Sequence, residues 1–117
     1  MHELSIAMSI VEIASEEAQK RRARVDAVHL KLGPLSGVVK DALLFSWELA
    51  CEESPIAGSR LVIEQTPVVV GCSACRAEST MAEESIDLHC PACGNSAVEL
   101  KSGRELQVIA LEIEEQP

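Results

Sequence analysis

The chain has 117 residues, a formal net charge of -9 and only 2% aromatic residues, with one Trp, one Phe and no Tyr. That length suits one modest domain with room for a small insert. The charge repels polyanions and almost nothing is available to stack on bases, which argues against a nucleic-acid role.

At the chain start Glu3, Glu12, Glu16 and Glu17 interrupt what would be the apolar stretch of a secretory leader, and no basic region precedes it. No apolar run approaches the ~20 residues that cross a bilayer. The expected location is the cytoplasm, where thiols stay reduced, so five cysteines read first as metal ligands or core residues. From Leu4 to about Arg22 the residues Leu4, Ala7, Met8, Val11, Ala14 and Ala18 recur at helical spacing, with Ile6, Ile10 and Ile13 widening the stripe. The cluster Lys20, Arg21, Arg22 and Arg24 fits the end of that helix, where cations complement the macrodipole.

In "VDAVHLKLGP" the period drops to two, with Val28, Leu30 and Leu32 on one face and His29 and Lys31 on the other, until Gly33 and Pro34 stop the strand. A second helix is expected from Val38 to about Cys51, with Trp47 and Cys51 one turn apart on its core side and a break at Ser54 and Pro55. A strand through Leu61, Val62 and Ile63 follows, then Pro67 and a second apolar run into the cysteines. The last stretch, Glu105 to Glu114, is apolar on both sides and predicts a central strand covered on both faces, at least in part. The cysteine-bearing excursion therefore reads as a small knob inserted into, or hung from, a helix-and-sheet body.

The strongest motif is "CSAC" followed by "CPAC": Cys72 and Cys75, then Cys90 and Cys93. Two residues between thiolates let one tight turn aim both sulfurs at a common point, and two such turns complete a tetrahedron. Gly71, Pro91 and Gly94 are the expected suppliers of special backbone geometry. Zinc is the leading ion, with iron and sulfur the chemical alternative; disulfides or a redox dithiol fit the reducing compartment and the paired motif less well. A sphere closed by four thiolates leaves no place for water, so the site is expected to be structural. His89 adjoins Cys90 and is a candidate replacement for one sulfur.

The opening "MHELS" offers a second donor set. The α-amine of Met1 and the amide nitrogen of His2 close one chelate ring, and that amide with the imidazole closes another. Such near-planar nitrogens suit Ni(II) or Cu(II), with Glu3 adding its backbone nitrogen or carboxylate. A dication at a helix N-terminus meets about +0.5 charge from the macrodipole, so the site is expected to be exchangeable and weaker than the cysteine site.

"MHELS", "GPLSGV", "LVIEQTP", the two CxxC pairs and "GRELQVIALEIE" together resemble the HypA/HybF family of nickel metallochaperones of hydrogenase maturation, over essentially the whole chain. The resemblance implies an α+β fold: two helices packed on a small three-stranded mixed sheet, with an inserted four-cysteine zinc-ribbon-like domain. The expected division is 1-69 and 101-117 for the nickel-binding body and 70-100 for the zinc-binding domain. It implies Met1, His2 and Glu3 as the nickel site, with Ni(II) transferable, and Cys72, Cys75, Cys90 and Cys93 as the site of structural Zn(II). It further implies a HypB-type nickel GTPase and the precursor of the nickel-iron hydrogenase large subunit as partners, urease maturation proteins in some relatives, and a monomer or weak homodimer that is not an enzyme.

A rival function of another class is a zinc-ribbon protein-interaction adaptor with an inert chain start. A metallohydrolase lacks an open metal site, because the chain has three histidines and the thiolates form a closed set.

Overall fold

A computed structural model describes residues 2–81 and 89–115. The elements in chain order are α1 (Glu3–Arg21), β1 (Ala23–Leu32), α2 (Lys40–Cys51), β2 (Arg60–Gln65), β3 (Val68–Cys72), β4 (Glu78–Met81), β5 (Val98–Ser102) and β6 (Leu106–Glu115). They form two three-stranded sheets, one in the order β2-β1-β6 and one in the order β4-β3-β5. The chain divides into two compact units. The first comprises Met1–Lys31, Val38–Glu64 and Gln107–Pro117, the second Leu32–Gly37 and Gln65–Leu106.

In the first unit α1 buries Ala7, Ile10, Val11, Ala14 and Ala18, the three- and four-residue spacing of one helical face. The helix stops at Arg22, which turns left-handed (φ 49) while its N–H is donated back to the carbonyls of Ala18 and Gln19. The basic cluster is largely engaged locally: Glu17 lies 3.9 Å from Lys20 and 3.2 Å from Arg21, and Arg24 pairs with Asp26 and Glu114. In α2, Leu43, Trp47 and Cys51 are buried at four-residue intervals, and α1 and α2 pack against each other. Trp47 donates its indole N–H to the Ser59 carbonyl at 2.9 Å, and Ser59 donates its hydroxyl to the Val25 carbonyl, so the one buried indole is satisfied. Beyond α2, Ser54 accepts from the Ile56 amide and donates to the Cys51 carbonyl, closing the turn that Pro55 requires.

β1 lies in the middle of its sheet and carries most of the strand contribution to the core: Val25, Ala27, Val28, Leu30 and Leu32 are buried. Two neighbours, Ala27 and Val28, are buried in succession, so the in-out phase shifts by one residue between them. The hydrogen bonds Ser59 to Val25 and Thr66 to Leu32 advance together along β2 and β1, as in a parallel pair. By contrast Gly33 donates to Glu105 and Leu35 to Gly103, which runs β6 the opposite way. The sheet is therefore mixed, with α2 as the crossover that a parallel pair needs.

Two expectations are corrected here. The final strand is not central: β6 is the rim of its sheet and none of its residues is buried, because its outer side has no strand neighbour among the described residues. The second helix begins at Lys40, with Val39 as an exposed N-cap, and its outer face leaves Leu49 exposed and Phe45 76% exposed. Its apolar residues outnumber those that Leu43, Trp47 and Cys51 place toward the core.

In the second unit β3 is central. Val68 pairs with Met81 and Val70 with Ser79 on one side, and Val70 with Leu100 and Cys72 with Val98 on the other, with an irregularity between Val69 and Val70. Val68, Val70 and Cys72 are its buried side chains. Gly33 is required by close packing: a Cβ there would stand 2.1 Å from the Gly103 carbonyl oxygen, and Gly103 itself has φ 126. The Glu105 carboxylate accepts from the Gly103 amide and the Thr66 hydroxyl, both at 2.8 Å, which ties "GPLSG", "EQTP" and "GRE" together.

Candidate metal sites

The two cysteine pairs fold into two copies of one turn. The amide of Cys72 donates to the Ala77 carbonyl and the Arg76 amide returns to the Cys72 carbonyl; the amide of Cys90 donates to Asn95 and the Gly94 amide returns to Cys90. In both copies the residue after the second cysteine is left-handed, Arg76 at φ 63 and Gly94 at φ 78. Gly94 was legible as such a residue because glycine adopts that region without strain. Gly71 is not its counterpart: it sits in β3, facing the Lys101 side chain. Arg76 fills that role, and no sequence rule singles out an arginine for it.

The first turn is anchored to the start of β5, where Ser73 donates both its amide and its hydroxyl to the Ala97 carbonyl, at 3.0 and 3.1 Å. The second is braced by Asn95, whose side-chain oxygen accepts from the Ala97 amide at 2.7 Å. Between them the sulfurs of Cys72, Cys75, Cys90 and Cys93 all lie within 4.8 Å of one another. The Cys72–Cys93 and Cys75–Cys90 sulfurs are 3.7 and 3.6 Å apart. A Zn–S bond of ≈ 2.3 Å in a regular tetrahedron sets sulfurs about 3.8 Å apart, so the donor set and its spacing fit Zn(II). His89 is exposed and the cluster is complete without it.

Backbone amides favour the thiolates. The Cys93 amide donating toward the Cys90 sulfur is the largest cause bringing that thiol down to about 7, and the Cys75 amide likewise lowers Cys72. At Cys93 the Asn95 amide also favours the thiolate, but burial and the three neighbouring sulfurs outweigh it and push the thiol up to about 12. The Ala77 amide is outweighed in the same way at Cys75, by the Cys90 sulfur, burial and the Cys72 sulfur. Four sulfurs at this spacing cannot all carry charge without a cation among them. The fifth cysteine, Cys51, is buried in the first unit, and that burial raises its thiol to about 11.

The other candidate site is at the head of α1. His2 is its N-cap, exposed and extended at φ -89 and ψ 92, and its side chain makes no capping bond. Its carbonyl accepts the Ile6 amide at 3.2 Å, while N–H groups at the first positions of a helix have no intrahelical acceptor. Glu3 is the acidic residue of the first turn. Met1 lies outside the described residues. His29, expected on the solvent side of its strand, is partly exposed there with its Nε2 2.7 Å from a Glu112 oxygen.

An α+β body joined to a closed four-thiolate unit defines a class of small metal-handling proteins in which the thiolates organise the chain and leave no position for catalysis. Comparison with known proteins narrows this. The family described as "Hydrogenase/urease nickel incorporation, metallochaperone, hypA" matches residues 1–113, and the chain belongs to that family. It is 49% identical over 113 residues to the hydrogenase maturation factor HypA of Chloroflexus aurantiacus, covering 96% of this chain and 98% of that protein. With the corresponding factor of a Roseiflexus species the identity is 46% over 116 residues, covering 98% and 94%. The solution structure of the Ni metallochaperone HypA from Helicobacter pylori matches with a TM-score of 0.68 at 25% identity, over 99% of this chain and 100% of that one. The chain is a nickel metallochaperone and not an enzyme; no helix among its described residues is long and apolar enough to cross a membrane.

Proposed function

We propose that the chain captures Ni(II) at its first three residues, Met1, His2 and Glu3, and surrenders it in the cytoplasm to the precursor of the nickel-iron hydrogenase large subunit. The observation that carries this reading is the state of His2: exposed, extended and free of any capping bond at the head of α1. An N-cap amide can lose its proton to a metal without breaking a helical hydrogen bond, and an extended residue leaves amide and imidazole able to close one ring. The positive end of the helix limits affinity, which suits an ion that has to leave. A HypB-type nickel GTPase is the proposed source or co-worker, and urease maturation proteins are further recipients.

The second unit serves as the zinc-bearing part, with Cys72, Cys75, Cys90 and Cys93 as the four ligands of Zn(II). The ion would draw the thiolates together and hold the two turns; this chain supplies the amides that stabilise those thiolates.

Nickel and zinc content of the untagged protein, of His2→Ala and of a version extended before Met1 tests the reading. Both variants are expected to lose nickel while zinc stays near one per chain. Because free imidazoles and α-amines take up protons between about pH 8 and 6, nickel affinity is expected to weaken across that window. Equal nickel in all three proteins would overturn capture at the chain start.

A further inference from the structure

The single Phe of an aromatic-poor chain lies on the surface. Phe45 of α2 is 76% exposed and Leu49, one helical turn on, is 57% exposed. Beside this pair runs a row of carboxylates: Asp41, Glu48 and Glu52 recur at seven and four residues, one helical face, with Glu53 adjoining, and all four are exposed. Glu17, Asp26, Glu112 and Glu114 of the same unit each pair with a cation. Among the described residues none of these four does. Helix stability does not account for the row. Glu48 and Glu52 repel at i and i+4 and crowd the C-terminal end, where the macrodipole disfavours anions and where α2 has no basic residue; α1, by contrast, ends on Lys20 and Arg21.

α2 and the segment 57–61 enclose an open groove. Phe45, Glu48, Leu49 and Glu52 line it from the helix, Gly58 and Arg60 from the segment. A Cβ built on Gly58 meets nothing within 4 Å, so that rim is clear, and Arg60, the one cation of the lining, stands 3.6 Å from Glu112. The groove therefore joins an apolar pair to uncompensated negative charge.

We propose that this groove docks an amphipathic helix of another protein, one whose apolar stripe is flanked by Lys and Arg. The stripe covers Phe45 and Leu49 while its cations meet Glu48 and Glu52, the helix-in-groove mode of recognition. A solvent-exposed aromatic that becomes buried is the anchor such an interface needs, and the carboxylates select the sign of the partner and speed its approach. A second copy of this chain does not suit the groove, because its exposed helical faces bring Glu12 and Glu16 of α1, or the same row of α2, against the acidic wall. The docking rests on α2 and not on nickel capture at the chain start.

The test uses the full, zinc-loaded chain and synthetic helical peptides of about four turns, built from Ala, Lys and one stripe of Leu. Fluorescence anisotropy at low salt gives affinity, and amide chemical shifts give the site. The Lys helix is expected to bind with a Kd on the order of 10 micromolar, to shift the amides of α2 and 57–61, and to lose at least about tenfold when its Lys residues are replaced by Glu. Phe45→Ser, and separately Glu48→Lys with Glu52→Lys, should each weaken binding about tenfold with helix content unchanged. Glu12→Lys with Glu16→Lys makes the same change of net charge on the exposed side of α1 and should cost less than about twofold. His2→Ala should bind the helix as the wild type does, so docking and nickel capture fail separately. No binding, shifts confined to other elements, equal affinity for the Lys and Glu helices, indifference to Phe45→Ser, or equal losses in the two charge-reversed proteins would each overturn the proposal.

Discussion

In the first unit Val28, Leu30, Leu43 and Ile56 are fully buried and Trp47 nearly so, whereas in the second, among the described residues, Val68 and Val70 are the large apolar side chains fully enclosed and Leu32 is nearly so. Residues 91 to 97, which carry Cys93 of the thiolate cluster, are exposed throughout. Aliphatic burial at about 25 cal/mol per Å² can therefore hold the helices against their sheet, but a short hairpin and two turns with two valines beneath them bury too little to offset the ordering of their backbone. The same chain uses a core in one place and a metal in the other, and the choice tracks how much apolar surface each segment owns.

The largest effect should come from the metal. Chelation, or Cys72→Ser with Cys90→Ser, removes a binding free energy on the order of 10 kcal/mol. Amide exchange should then rise sharply across 68–81 and 89–102 while α1 and α2 stay protected. Simultaneous loss of both units would break the comparison. The reciprocal experiment is Trp47→Ala, which opens a cavity and strands the Ser59 carbonyl. A loss of about 3 to 5 kcal/mol in urea unfolding is expected, with zinc content unaltered.

A smaller effect concerns Cys51. Burial raises its thiol from 9.0 to about 11, so the folded chain keeps a proton that the unfolded chain gives up. The stability this provides is complete below about pH 9 and is lost as pH rises toward 11, by up to about 2 kcal/mol. Urea midpoints should fall across that range, and Cys51→Ala should flatten the fall; identical slopes would mean that burial does not act on this thiol. The smallest effect separates the two cysteine turns. Arg76 is left-handed where the equivalent residue is Gly94, so Arg76→Gly should strengthen zinc retention against a chelator by about 0.5 to 1 kcal/mol, and Gly94→Ala should weaken it by a similar amount.

Local patterns explain which elements were legible. The stripe through Ala7, Val11, Ala14 and Ala18 marks α1, and the alternation of Val28, Leu30 and Leu32 against His29 and Lys31 marks the second half of β1, because burial on one face imposes the period. The phase shift at Ala27 was not visible, since two small apolar residues in succession satisfy either register. β6 misled for a related reason: apolar residues on both faces state what a strand tolerates, not how many neighbours it has. Of the sites, the cysteine pairs announced themselves by spacing, while the left-handed Arg76 and the engagement of Glu105 by Thr66 and Gly103 depend on residues far apart in the chain.

By itself the sequence determined the thiolate set, the helices and the middle strand, all of which depend on neighbours within a few residues. Only the tertiary structure decided that the four sulfurs converge, that Gly33 leaves room for the Gly103 carbonyl, and that β6 ends its sheet. Those outcomes turn on which distant segments share one volume, and a linear pattern of hydrophobicity and spacing carries no term for that.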